Sequence, residues 1–121
     1  MNKFIFGIAL ASMVFSTPTS SFALSGLGFL SKSPIAYFTP EDSCMLKSTL
    51  KDVLNHKPDG QTVKWKNEES GHFGKIKAIR TFTQQGIRCR AVKFFNSAGG
   101  VTGQGTFNFC KQDDGSWKIA E

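Results

Sequence analysis

Residues 87–110 read IRCRAVKFFNSAGGVTGQGTFNFC. Two runs of alternating character meet at Gly99-Gly100, the pattern of two strands joined by a two-residue hairpin turn. In such a turn Ala98 faces Val101, and counting outward sets Cys89 directly opposite Cys110. The turn-closing pair is hydrogen-bonded, so the cysteines fall at a non-hydrogen-bonded site, where opposed Cα atoms lie about 4.5 Å apart. A disulfide spans that separation. The chain has three cysteines, any two of which could pair; the register selects Cys89–Cys110 and leaves Cys44 over. The bond would close a loop of about 20 residues, worth about 3 kcal/mol in chain entropy, a large share of the stability of so small a domain. The same register sets Val92 opposite Phe107 and Phe94 opposite Gly105, with Phe109 beside them, as the apolar face. The disulfide falls on the other face with Ala91 and Asn108, unless a bulge swaps the two.

Outward from this hairpin, period-two alternation also runs through 62–66 and 75–83, and a short strand is expected at 117–120. Turn signals separate them at Ser70-Gly71, Gln84-Gln85-Gly86 and Asp113-Asp114-Gly115. Before the strands, Thr39-Pro40-Glu41-Asp42 is a helix start: Thr39 caps, Pro40 fits the first position, and the acids suit the dipole. Leu46, Leu50, Val53 and Leu54 form one apolar stripe, and Pro58 and Gly60 end the segment. The reading is an α+β fold, with one amphipathic helix over 40–55 packed on a four- to five-stranded antiparallel meander.

The length, 121 residues, allows one domain. Forty per cent hydrophobic residues, including 12 Phe, suffice for a small core. The charge is +6. Residues 1–23 read as a signal peptide: Lys3 supplies the basic start, 4–15 are apolar, and Ser21-Phe22-Ala23 predicts cleavage after Ala23. A retained anchor is the weaker reading, because a span needs roughly 20 apolar residues. Export permits the disulfide and argues against chemistry that depends on cytosolic ATP or NADH. Residues 24–38 are a flexible apolar lead-in that can dock on the domain, or alternatively touch a membrane. The domain itself is 39–121.

If Ser70-Gly71 is a two-residue turn, Lys66 faces Lys75, Lys64 faces Lys77 and Trp65 faces Ile76. Lys64, Lys66, Lys75 and Lys77 then share an outer face and form a candidate anion-binding patch. Directly opposed like charges are destabilising, so such a face either staggers them or offers them to an anion. Lipopolysaccharide phosphates, lipid headgroups or an acidic protein would fit; a solvated edge that resists aggregation is the structural alternative.

Catalytic chemistry finds less support. His56 and His72 read as exposed polar residues with no metal spacing. Cys44 lies in the first helical turn on the Lys47/Lys51 side, and an exposed thiol, an intermolecular bridge or a buried inert residue are all preferred to a nucleophile. Glu41-Asp42, Glu68-Glu69 and Asp113-Asp114 sit at a cap or at turns, where a structural role suffices. The glycines of 99–105 precede a strand, so they make a turn rather than a phosphate loop. No enzyme, cofactor, metal or nucleic-acid partner is expected.

Three stretches together are distinctive. They are Pro58-Asp59-Gly60-Gln61-Thr62-Val63-Lys64-Trp65-Lys66-Asn67 with Ser70-Gly71 and Gly74, Ile87-Arg88-Cys89-Arg90, and Cys110-Lys111-Gln112-Asp113-Asp114-Gly115-Ser116-Trp117. In this order they resemble the C-terminal domain of the bacterial surface-antigen family typified by the rickettsial seventeen-kilodalton surface antigen, over about 41–121. The resemblance implies a Gram-negative envelope protein associated with the outer membrane, and carries no enzymatic activity with it. Members commonly have a lipidated N-terminal cysteine and a glycine-zipper segment; here 24–38 stands in their place, and the expectation is a soluble periplasmic or secreted form. The function expected is a non-catalytic structural or binding module of the envelope. The alternative is a secreted interaction protein or inhibitor acting on a host or competitor molecule.

Overall fold

The computed structural model describes residues 33–120. The signal peptide and residues 24–32 of the lead-in lie outside the described residues. One helix, α1 (Pro40–His56), precedes five strands: β1 (Thr62–Lys66), β2 (Phe73–Gln84), β3 (Ile87–Ala98), β4 (Val101–Lys111) and β5 (Trp117–Ile119). The strands form one antiparallel sheet in sequence order. This is the α+β meander expected of the sequence.

The helix begins as its residues dictate. The Thr39 hydroxyl accepts from the Asp42 N–H at 3.0 Å, and the Asp42 carboxylate accepts from the Thr39 N–H at 2.8 Å, a reciprocal capping box with Pro40 just inside it. The stripe Leu46, Leu50, Val53 and Leu54 is buried against Trp65, Ile76, Ala78 and Val92. The helix lies over β1 and β2. Ahead of it a short 3-10 turn, Pro34–Tyr37, packs on β3 and β4 and closes the other half of the inner face. Phe38 meets Trp65 edge-on at 5.4 Å. Beyond the helix, the Trp117 indole N–H donates to Asn55 at 2.9 Å and ties β5 to the helix end.

The β3–β4 register runs unbroken from Ala98↔Val101 to Cys89↔Cys110, and the two sulfurs are bonded. The inner face of β3 carries Arg90, Val92, Phe94 and Asn96, all buried. The disulfide lies on the outer face, with Phe82 opposite Cys89 and Lys118 opposite Cys110.

The β1–β2 register differs from expectation by two residues. Lys64 faces Lys75, Thr62 faces Lys77, Lys66 faces Phe73, and Trp65 faces Gly74 rather than Ile76. The connection is longer than a two-residue turn: Asn67 N–H donates to the His72 carbonyl at 2.9 Å, and residues 68–71 form the loop. Packing sets this register. The Trp65 indole and the Asn96 amide fill the space above Gly74, where a Cβ would collide with both and lie 2.6 Å from the Phe95 carbonyl oxygen. Only glycine fits opposite Trp65.

A bulge between Ala78 and Arg80 breaks the alternation of β2. Up to Ala78 the even-numbered residues point inward. After exposed Ile79 the order inverts, so Thr81 pairs with Arg90 on the inner face and Phe82 with Cys89 on the outer.

Candidate functional site

Each end of the helix is fastened to the sheet by a buried charge. At the N-terminus, fully buried Asp42 does more than cap. Its carboxylate also accepts from Asn67 Nδ2 and Ser70 Oγ, each at 2.8 Å, and contacts His72 Nδ1 at 2.6 Å. A carboxylate only accepts, so Nδ1 carries the proton in this contact. Burial pushes the Asp42 pKa up, but the bonds from Thr39, His72, Ser70 and Asn67 outweigh it and hold the carboxyl well below its ordinary value. Asn67, Ser70 and His72 come from the β1–β2 connection, which is why that connection takes its longer form.

At the C-terminus, Arg90 is 3 % exposed. Its Nη1 donates to the carbonyls of Val53 at 2.8 Å and Leu54 at 3.0 Å. Its Nε donates to Thr81 Oγ1 at 2.9 Å and its Nη2 to Asp59 Oδ1 at 2.7 Å. Leu54 needs this donor, because the residue four positions on is Pro58, which has no N–H. The Arg90 hydrogen bond lowers the Asp59 pKa, and the Thr81 hydroxyl adds to that.

The two clusters are structural anchors. At the first, Thr39, Asn67, Ser70 and His72 all bond the Asp42 carboxylate; at the second, Arg90 spans the helix end, Thr81 and Asp59. The expectation of an exposed His72 is corrected: its side chain is 19 % exposed and engaged with Asp42, whereas His56 is 72 % exposed beside Asp52. The sequence signal was present in Thr39-x-x-Asp42, since a capping acid whose helix abuts a loop of Asn, Ser and His invites those donors. Cys44 is an exposed free thiol. Among the described residues, no group of three or more His, Cys, Asp or Glu side chains could hold a metal ion.

The outer face has a different character. Lys64 stands directly opposite Lys75, and Lys77 directly opposite Lys93. Lys66 lies on the same face opposite Phe73, with Glu68 at 4.0 Å as its acidic neighbour. The four lysines anticipated for this face share it, in a register shifted by two. Lys93 is the addition. A Gln85-Gly86 turn carried inward without a bulge would pair Lys77 with Phe94; the bulge at Ile79 brings Lys93 opposite instead. Phe95 stands opposite Lys75 at the end of the Lys64–Lys75 row, with Lys75 Nζ 5.3 Å from its ring and the Phe73 ring 6.4 Å away. A shallow cavity of about 150 Å³ opens here, lined by Lys75, Lys77, Lys93, Phe95, Thr62 and Gln104. Its three ammonium groups and two polar side chains can receive an anionic group of several oxygens, with an aromatic ring beside it.

A family model described as 17 kDa outer membrane surface antigen matches residues 52–118, more than half of the chain. The chain belongs to this family. Among curated relatives, the 17 kDa surface antigens of Rickettsia conorii and Rickettsia rickettsii are each 28 % identical over 80 residues, and that of Rickettsia bellii 25 % over 80. The matched stretch covers 65 % of this chain and 50 % of each relative. The chain thus spans about half the length of the curated relatives it matches. No solved structure gives a significant match. Membership in the surface-antigen family implies an exported, envelope-associated protein.

Proposed function

We propose that this chain is a non-catalytic binding module of the periplasm or outer membrane, and that its lysine face holds an anionic envelope component, the phosphate-bearing outer-membrane surface. One observation carries the reading: two lysine pairs are directly opposed, Lys64 with Lys75 and Lys77 with Lys93, on a face whose one ion-paired acid among the described residues is Glu68 at its margin. Like charges so placed cost stability unless a ligand neutralises them. Phe95 and the 41 % exposed Phe73 add apolar surface at the same place, which suits headgroup depth, where aromatic and basic side chains act together.

The test is co-sedimentation of the purified protein with phosphatidylglycerol-containing vesicles against vesicles of neutral lipid. Each lysine near an anionic surface contributes about 1 kcal/mol. Changing Lys64, Lys66, Lys75 and Lys77 to Gln should therefore lower binding by about 10³-fold at low salt. Adding Lys93→Gln should lower it further. Equal binding of the wild type and the quadruple variant would overturn the proposal.

A further inference from the structure

The sheet has one long edge that its own described strands leave open. β5 pairs only with Phe109, Cys110 and Lys111 of β4, and the ladder ends where the Ala120 N–H donates to the Asn108 carbonyl at 2.8 Å. That bond shows which way the backbone faces. Even-numbered residues of β4 turn their N–H and C=O groups away from β3, so Thr102, Gln104 and Thr106 present theirs along an edge with no backbone partner among the described residues. Natural proteins usually protect such edges with charge, proline or a bulge. Here none is present: no charged residue or proline occurs between Lys93 and Lys111, and the β3–β4 register is continuous.

We propose that this edge is a self-association surface, at which β4 of a second copy pairs antiparallel about a two-fold axis through Gln104. Charge selects the occupant. A chain of +6 repels its own copies over most of its surface, and the opposite edge, β1, carries Lys64 and Lys66. β4 is the strand along which two copies meet without like charges in register. The geometry is also self-complementary. With Gln104 opposite Gln104 of the second copy, Thr102 falls opposite Thr106, and both pairs are of the hydrogen-bonded kind, giving roughly six inter-strand bonds. The threonines meet on the outer face, where such pairs are favourable. On the inner face Gly103 falls opposite Gly105, so neither residue brings a side chain of its own to the seam, and the space above them is already filled by Pro34 and Phe107. The axis runs perpendicular to the sheet, so both lysine faces point to the same side of one continuous sheet. This arrangement does not depend on what those faces bind.

The experiment is analytical ultracentrifugation of the purified native protein from micromolar to sub-millimolar concentration. The wild type should move from one to two chain masses. Gln104→Lys and Gln104→Glu each set like charges across the axis and should weaken association about fivefold or more. An equimolar mixture of the two should restore it, because opposite charges then meet. Gln104→Pro removes an outward N–H without touching the β3 ladder and should abolish dimerisation. A wild type that stays at one chain mass throughout overturns the proposal, as do charge variants that dimerise like the wild type. Monomer with slow amide exchange at Thr102, Gln104 and Thr106 would assign the edge to another segment or peptide instead.

Discussion

Arg90→Met tests the account of how the helix is held. Methionine keeps most of the length and apolar stem of Arg90 and removes all of its donors. The loss is not the sum of the four bonds. Thr81 keeps its bond to Asp59 at 2.9 Å. Val53 keeps the Lys57 N–H at 3.3 Å. Asp59 is 40 % exposed and regains water. Leu54 alone is stranded, because Pro58 has no N–H for its carbonyl. An unsatisfied buried acceptor costs about 1–3 kcal/mol, and the charge-assisted bond to Asp59 adds a modest amount because that carboxylate is near solvent. The expected cost is therefore about 2–3 kcal/mol, below the 3–5 typical when a fully buried ion pair is broken. In urea unfolding with the disulfide intact this reads as a lower midpoint, and in thermal unfolding as a Tm about 10–20 °C lower. Asp59→Ala separates the contributions. If the helix carbonyls dominate, it costs less than half as much as Arg90→Met. If the ion pair dominates, the two cost the same. Arg90→Lys should recover only part of the loss, because an ammonium lacks the planar fork that reaches both helix and loop. An Arg90→Met variant within about 0.5 kcal/mol of the wild type, the range of an ordinary surface substitution, would refute the reasoning.

Two further outcomes follow from the same contacts. Because the folded-state pKa of Asp42 lies below its ordinary 3.8, the unfolded chain takes up its proton first on acidification. The stability this provides is complete above about pH 4 and is lost as pH falls below it; urea midpoints measured across that range should fall in the wild type and fall less in Asp42→Asn, which starts lower. Gly74→Ala should cost at least the upper end of the about 1–3 kcal/mol of overpacking, since the Phe95 carbonyl is backbone and cannot swing aside; a neutral result in thermal unfolding would mean that Trp65 does not sit over this position.

What could be read from the sequence depended on whether a local turn alone determined the pairing. Gly99-Gly100 did, because no bulge lies between it and the cysteines, and so the inner and outer faces of β3 and β4 followed from counting. Ser70-Gly71 did not. The side chains of Asn67, Ser70 and His72 reach Asp42, a residue 25 to 30 positions earlier, and the indole of Trp65 needs Gly74 beneath it. Both requirements are tertiary, and neither leaves a trace in alternation. Four lysines were nevertheless placed on one face, because a shift of two preserves side-chain parity. The pairing of Lys93 with Lys77 was not legible, because a one-residue bulge shifts the β2–β3 register and nothing in Ala78-Ile79-Arg80 announces one. Arg90 carried the least signal, since a basic residue beside a cysteine in a strand reads as solvated until the helix end it serves is known.

The anchoring also bears on what the lysine face is for. The fold is held from the inner side, by the apolar stripe, by Asp42 and Arg90 at the two helix ends, and by Trp117 on Asn55. On the outer face the disulfide and Phe82 occupy the end beyond the bulge, while the lysines occupy the end before it. Lys64, Lys75, Lys77 and Lys93 satisfy no buried group, and their registered repulsion makes the unliganded sheet less stable than neutral polar residues would. If the face serves only as solvated surface, the Gln variants should be slightly more stable than the wild type and unchanged in vesicle binding. If it is a binding surface, the same variants should be slightly more stable and should no longer bind. Stability and binding measured on one set of proteins therefore separate the two roles.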